Sequence, residues 1–405
     1  MNKAHFFNDD CDLKLLNISV NSRFVARMGT YYIIALGNSL RGNMSKNKAI
    51  ETIKSTSKDT ITLKSVAKKA AVSPITVSRV VNGYAGVSDE IRKKVEAAIS
   101  ELGYIPNRSA SVLASSRSKL IGVLIPSLSN VVFNDLLSGI YDIAVPANYQ
   151  VLLSNTHYSP IEEERAIRIL LGQSPEGLII TGGEQTDAAK AMLTATGVPV
   201  VQIMDKVDTP IDINVGFSHY EAGAAVAQLL LAKSYTKIGF IGARMDPRTC
   251  DRLAGFKSAL TAVNCLDSKR IITSLQPSSV AMGVTLFREL IAITKGDCDA
   301  VFCCNDDLAL GVLHECKKMH INVPDTFGVC GFNDIEMAAY AEPSLSSVKV
   351  NRYQMGKRAM ELILERLQIT DLVGEKAKQP PDIQKSSTPT YINTGFEVIC
   401  RKSIR

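Results

Sequence analysis

The stretch ITLKSVAKKAAVSPITVSRVVNG, Ile61 to Gly83, decides how the folded part of this chain begins. Thr62 stands where a helix N-cap belongs, ahead of Leu63, Val66, Ala67 and Ala70 at helical spacing. Ala71-Val72 predict a turn of small residues that lets two helices cross closely. Ser73 then caps a second helix, and Pro74 takes its first position, where a missing N–H costs nothing. Val77, Val80 and Val81 are expected to face inward, which leaves Ile75, Thr76, Ser78, Arg79 and Asn82 outside. That outer face offers one long cation, two hydroxyls, an amide and an apolar tip, a set suited to groove and phosphate contacts. An ordinary helical hairpin shows the same spacing, so the neighbouring residues carry weight.

Those neighbours predict a third helix. Ser88 is its expected cap, Asp89 and Glu90 favour its positive end, and Ile91, Val95, Ala98, Ile99 and Leu102 form its buried stripe before Gly103 closes it. Charge is concentrated here as well. Eleven Lys or Arg against five Asp or Glu lie between Lys58 and Lys119, which accounts for the whole formal net charge of +6 in 405 residues. A basic headpiece on a neutral body fits attraction to phosphates.

Beyond Leu120 the pattern changes. Short apolar runs alternate with helical stretches: LIGVLI (120–125), YQVLL (149–153), GLIIT (177–181) and VPVVQIM (198–204), then KIGFIG (237–242), RIIT (270–273), AVFCC (300–304) and FGVCGF (327–332). Buried runs between amphipathic helices imply parallel sheets covered on both faces, and two such series imply two lobes. Ligands of such sheets bind beyond the carboxyl ends of the strands, so a cleft is expected where those loops converge. Residues 371–389 read as a loose Pro-, Lys- and Ser-rich loop before one last strand near Tyr391 to Ile399.

The first 43 residues carry no strong helical period, no secretory layout and only a short apolar run, Tyr31 to Leu36, too short to span a bilayer. They read either as a disordered tail or as sequence upstream of a true start at Met44, with the second preferred. The nine cysteines show no paired framework, which points to a reduced cytoplasmic protein using cysteine as a small apolar residue. His314, Cys316 and His320 crowd one expected helix, but positions 314 and 316 project about 200° apart and cannot easily share an ion. No metal or cofactor is expected.

The three helices, the strings TVSRVVNG and LGYIPN, and the segment carrying Leu113 together resemble the DNA-binding headpiece and hinge of the lactose-repressor (LacI) family, without a gap from about Ile61 to Ser116. The body resembles that family's regulatory core from Leu120 to about Cys400, with landmarks at IPSLSN, NDDLALG, GFND and PSLSSV. Within the family it is most similar to repressors of gluconate utilisation, on GVLIPSLSNVVFNDLLSGI, QIMDK through DINVGF, GARMDPRT and FCCNDDLALG. The resemblance implies an all-α helix-turn-helix headpiece joined to an α/β two-lobed core, like periplasmic binding proteins, with parallel sheets. It divides the chain into an extension (1–57), the headpiece (58–104), a hinge (105–118) and an effector-binding, dimerising core (119–400).

Further expectations come with it. Pro74 and Ile75 fall on the two specificity positions of the recognition helix, and Ile75 is expected on a thymine methyl. Arg79 can pair with a guanine, and Thr62, Ser73, Thr76, Ser78 and Asn82 complete the contact set. Asn107 and Arg108 belong to the hinge, and Leu113 to the wedge that opens the minor groove at the centre of a near-palindromic operator bound by a homodimer. In the cleft, Asn130, Phe133, Asp205, Arg244, Arg248, Arg252, Asp306, Asn333 and Arg352 are expected around the effector, with Arg252 and Asp306 on its hydroxyls. Arg352 stands where the lactose repressor has an aromatic side chain. A neutral sugar would leave that guanidinium unpaired and a carboxylate would satisfy it, so a sugar acid such as gluconate is expected. A sugar phosphate is the next choice.

Other classes fare worse. A transport receptor would share the body but needs an export signal and no basic headpiece. An enzyme would need its markers, and GxSxG, the P-loop, GxGxxG after a strand and HExxH are all missing. Asp205 with Asp306 is the one conceivable acid–base pair, but the arginines are expected to hold both ionised, which suits binding better than proton transfer.

Overall fold

The computed structural model describes residues 61–81, 83–84, 86–105, 117–376 and 390–405. They form two units, one ending at Tyr104 and the other beginning at Ile105. The readings placed on residues 1–57, Met44, Asn82, Asn107, Arg108 and Leu113 lie outside the described residues.

In the first unit, α1 (Leu63–Ala70), α2 (Pro74–Val81) and α3 (Asp89–Leu102) enclose a small core of Val66, Ala67, Val77, Val80, Val95 and Ala98. Thr62 and Ser65 cap each other's backbone N–H groups at 3.3 and 3.4 Å, a reciprocal capping box that starts α1. Ala71 turns the chain by taking left-handed φ of 54°, and Gly103 ends α3 in the same way at 63°. The Ser73 hydroxyl accepts the Thr76 N–H at 3.1 Å and so caps α2. Ser88 corrects its expectation: it holds the N-cap position of α3, but its hydroxyl caps nothing. Asp89 and Glu90 meet the exposed N–H groups by charge instead.

In the second unit the strands are β1 (Leu120–Ile125), β2 (Gln150–Asn155), β3 (Gly177–Thr181), β4 (Val200–Asp205), β5 (Ile213–Phe217), β6 (Ile238–Ala243), β7 (Ile271–Ser274), β8 (Ala300–Cys303), β9 (Gly328–Asn333), β10 (Ser346–Lys349), β11 (Thr390–Asn393) and β12 (Glu397–Ile399). The helices that cover them are α4 (Val132–Ala144), α5 (Pro160–Leu171), α6 (Asp187–Thr196), α7 (His219–Ala232), α8 (Pro247–Ala262), α9 (Val280–Thr294), α10 (Asp306–Lys318), α11 (Glu336–Tyr340) and α12 (Arg352–Lys376). One sheet runs β11-β5-β4-β3-β1-β2 and makes the first lobe, and the other runs β12-β10-β9-β8-β6-β7 and makes the second. Among the described residues all strand pairings are parallel except β10 with β12. The eight runs expected as strands are strands, and β5 and β10 join them. The expected last strand is two short ones, and they belong to different lobes. The expected loop at 371–389 begins later, because α12 continues to Lys376.

The chain passes between lobes at three places: after β5, between β10 and α12, and between β11 and β12. In each sheet the winding reverses beside the first strand, between β1 and β3 in one lobe and between β6 and β8 in the other. Loops leaving those strands therefore diverge and open a crevice, and the crevices of the two lobes face each other.

Three helix pairs lie unusually close, and glycine is the reason. Between α9 and α10 a Cβ on Gly283 or Gly311 would stand 2.2 or 2.1 Å from the Leu308 or Val280 carbonyl oxygen. A Cβ on Gly223 would stand 2.0 Å from the Arg252 carbonyl oxygen, and one on Gly255 would stand 1.9 Å from that of Tyr220. Only hydrogen fits between α7 and α8 there, and this contact sets His219 beside Arg252. Gly139 and Gly356 do the same for α4 and α12, where Asp135 meets Arg352.

Candidate functional site: an exposed helix face and an interlobe cleft

The outer face of α2 carries Pro74, Ile75 and Arg79, all exposed, with Thr76 and Ser78 half-buried beside them. Ile75 is 68% exposed on a helix whose other large apolar residues are buried or partly buried, so its side chain is not used by the headpiece core. Arg79 makes no ion pair among the described residues. Thr62 and Ser73 spend their hydroxyls on caps, and the Ser73 and Thr76 hydroxyls lie 2.9 Å apart.

In the second unit a cavity of about 190 Å³ opens between the lobes. From the first lobe Asn130 and Phe133 reach it, and Tyr158 from the loop after β2; from the second come Arg244, Arg248, Arg252, Asn305, Asp307 and Asn333. The Arg244 guanidinium lies 3.9 Å over the Tyr158 ring, and Arg248 is 5.9 Å from the same ring. Arg244 and Met245 both adopt left-handed backbone, φ 66° and 50°, at the end of β6. Such conformations are costly for non-glycine residues and here aim the guanidinium at Tyr158. Among the described residues Arg244 makes no ion pair, and the Arg248 guanidinium has only Asp246 at 3.8 Å. Burial acts to lower the Arg248 pKa, yet Asp205 and Asp246 hold it above its ordinary value, so it stays charged.

Arg252 is held more firmly. Its Nε donates to His219 Nδ1 at 3.1 Å and its Nη1 to the Cys304 carbonyl at 2.5 Å, while its carbon lies 3.6 Å over the Phe332 ring. Burial brings its pKa down to about 10, still well above neutrality. The cation–π face of Phe332 partly replaces the water that this group has lost. A second, smaller cavity of about 60 Å³ shares Tyr158, Asp246 and Arg248 with the first and adds Glu163, Glu184 and Asp205. Glu163 is buried against the neutral amide of Gln185, and burial lifts its pKa to about 7.

Three arginines facing one polar cavity can meet a small hydroxylated anion, and an exposed cation and apolar tip on a capped helix can meet the edges of a duplex. Residues 62–107 match the family described as bacterial regulatory proteins, lacI family, and residues 227–388 match the periplasmic binding protein-like domain. The HTH-type transcriptional regulator GntR of Pseudomonas aeruginosa is 40% identical over 343 residues, 84% of this chain and 95% of its own length. The chain belongs to the LacI family. A LacI-family transcriptional regulator from Silicibacter pomeroyi superposes with a TM-score of 0.75 at 34% identity, covering 85% of this chain and 100% of that one. The lac repressor dimer bound to operator and the anti-inducer ONPF gives 0.68 at 27% identity, covering 85% and 98%. As a LacI-family member the chain is a DNA-binding transcriptional regulator and not an enzyme.

The cleft of this LacI-family chain differs from expectation at three positions. Arg352 does not line the main cavity: its Nη2 donates to Asp135 at 3.0 Å and its Nη1 to the Asn333 carbonyl, leaving a buried Nε without a partner among the described residues. The guanidinium expected to await a carboxylate already has one. Asp306 is buried away from the cavity, its oxygens taken by Ser347 Oγ at 2.6 Å and the Ile335 N–H at 2.9 Å, and its neighbour Asp307 faces the cavity instead. Among the described residues no arginine pairs with Asp306, and burial raises it to about 7, so the expectation of an arginine-held, ionised Asp306 is corrected. Asp205 lines the small cavity rather than the large one.

Tyr158, Asp246, His219 and Glu163 went unread in the sequence. Tyr158 follows a strand in an undistinguished loop, and nothing in its spacing marks it. His219 carried one available signal, since Ser218-His219 opens a helix immediately after a strand end. Among the described residues no group of three or more His, Cys, Asp or Glu is placed to hold a metal ion, and no helix is long and apolar enough to cross a membrane.

Proposed function

We propose that this regulator is a cytoplasmic repressor of sugar-acid catabolism, with gluconate or a near relative as its effector in the interlobe cleft. The observation that carries the reading is the pair Arg244 and Arg248 beside the Tyr158 ring at the cavity wall: among the described residues Arg244 makes no ion pair, and Arg248 has only Asp246, at 3.8 Å. A carboxylate can join such a pair, whereas a neutral sugar leaves the Arg244 charge without a partner of opposite sign. Asn130, Asn305 and Asp307 supply donors and acceptors for hydroxyls, Phe133 supplies an apolar floor, and Arg252 offers its remaining Nη2. The similarity to repressors of gluconate utilisation seen in the sequence supports the same choice. Calorimetry tests it: gluconate should bind, glucose should not, and Arg248→Ala should abolish the difference. Equal binding of glucose and gluconate to the wild-type chain would refute the sugar-acid reading.

On the DNA side, a homodimer presents two copies of α2 to a near-palindromic operator. Ile75 contacts a thymine methyl, Arg79 a guanine, and Thr76 and Ser78 the phosphates, with the helix-capping Thr62 and Ser73 completing the contact set. The exposure of Ile75 and Arg79 supports this assignment.

A further inference from the structure

His219 lies where the chain first crosses between lobes, directly after β5 and at the start of α7. Its ring is almost wholly buried, 1% exposed, and touches both lobes. Nε2 lies 3.0 Å from Asp205 Oδ1, at the end of β4 in the first lobe, and Nδ1 lies 3.1 Å from Arg252 Nε, on α8 in the second. A guanidinium nitrogen can only donate, so Nδ1 must accept. The ring proton is thereby placed on Nε2, where it faces a carboxylate that can only accept. The neutral Nε2–H tautomer satisfies all three groups, and no other form does. The imidazolium would turn Nδ1 into a donor pointing at a donor.

We propose that His219 is a positioning residue, an interlobe latch whose neutral Nε2–H tautomer ties the effector-facing Arg252 to Asp205 and opens when the ring is protonated. The effector part of this proposal rests on the sugar-acid reading above; the tautomer and the latch do not. Bridging the lobes at the hinge, the ring links the orientation of a guanidinium in the cavity to the angle between the lobes. The charged groups facing it are Asp205 on β4 and Arg252 and Arg248 on α8, and the aromatic rings of Phe217 and Phe332 close the remaining sides at 4.3 and 5.7 Å between centroids. Burial and the Arg252 charge depress the ring's pKa to about 4 against the opposing pull of Asp205, so the latch is shut at neutral pH. Gly223 and Gly255 serve the same end, since a wider α7–α8 spacing would draw Arg252 away from Nδ1.

Side-chain nitrogen NMR of the full chain, in which His219 is one of five histidines, and gluconate calorimetry from pH 8 to pH 4.5 together test the latch. The latch predicts nitrogen shifts of an Nε2–H tautomer for His219, titrating far below the ordinary histidine range. It further predicts a His219-dependent part of gluconate affinity that is level near neutrality, where Glu163 and Asp306 titrate in wild type and variant alike. That part falls by under about twofold by pH 4.5, where about a quarter of the rings are protonated. His219→Gln, which offers one acceptor and one donor but no titratable proton, should bind gluconate without that acid loss. His219→Ala should bind roughly tenfold more weakly at every pH, as expected for one lost charge-assisted hydrogen bond. A ring titrating near 6.5, an Nδ1–H tautomer, or a His219→Gln variant that keeps the wild-type acid loss would each overturn the proposal. If gluconate fails to bind the wild-type chain, the sugar-acid reading falls, and the tautomer and titration of His219 still decide the latch.

Discussion

Replacing Glu163 by glutamine should stabilise the protein at alkaline pH and leave it unchanged at acid pH. Glu163 is buried in α5, and among the described residues it receives only the Gln185 amide, at 3.3 and 3.4 Å. Burial raises its pKa from an ordinary 4.5 to about 7, so the folded state holds a proton that the unfolded chain releases. Stability from this group is therefore fully present below pH 4.5, declines as the pH rises, and is gone once the pH passes 7. The displacement from 4.5 to about 7 is worth about 3 kcal/mol, since each tenfold change in proton affinity corresponds to roughly 1.4 kcal/mol. The Glu163→Gln side chain mimics the protonated acid at all pH values, so the gap between variant and wild type should grow from near zero at pH 4.5 to about 3 kcal/mol at pH 8. Urea denaturation of both proteins at the two pH values, each fitted with its own slope, measures the gap, and other titrating groups cancel in the difference. A gap that is the same at both pH values, or that favours the wild type at pH 8, would show that this carboxyl carries no burial penalty.

Two other outcomes are expected. Arg79→Ala should weaken binding to the specific operator by about 1–3 kcal/mol and relax the preference for guanine at one position. A uniform loss on all DNA sequences, with a salt dependence shallower by about one ion, would make Arg79 a phosphate contact instead. Gly255→Ala would set a methyl 1.9 Å from the Tyr220 carbonyl oxygen, so α7 and α8 must part at a cost of about 1–3 kcal/mol in urea denaturation. A cost under about 0.5 kcal/mol, the usual range for an indifferent surface change, would mean the helices are not in close contact there.

How much of this was legible beforehand differs between the two units. The headpiece helices were readable because each carries local signals: a cap, a proline at the first position and an apolar stripe at one period. The one miss there, the idle Ser88 hydroxyl, is a side-chain rotation that sequence spacing does not determine. The eight main strands were readable as buried runs, but β5 and β10 were not, since INVGF and SSVK mix polar residues into short segments that sequence patterning alone leaves ambiguous. The cleft was half legible. Arg244, Arg248 and Arg252 stand at the mouth of one lobe because they lie on one strand end and one helix. Arg352 and Asp306 were misread for a single reason: their fates depend on partners far away in the chain, Asp135 for one and Ser347 for the other. Which of two adjacent aspartates faces a cavity is a matter of helix phase, and Asp307 rather than Asp306 has it.

Regulation by this protein requires one coupling, between what the cleft holds and how tightly the headpiece grips DNA. Fluorescence anisotropy of a labelled operator, titrated with the full chain at fixed salt with and without saturating gluconate, measures that coupling directly. Operator affinity should shift by roughly 5- to 150-fold, matched by an equal shift in gluconate affinity when operator is present. Gluconate that binds the chain yet leaves operator affinity unchanged would show that cleft and headpiece are not coupled through this ligand.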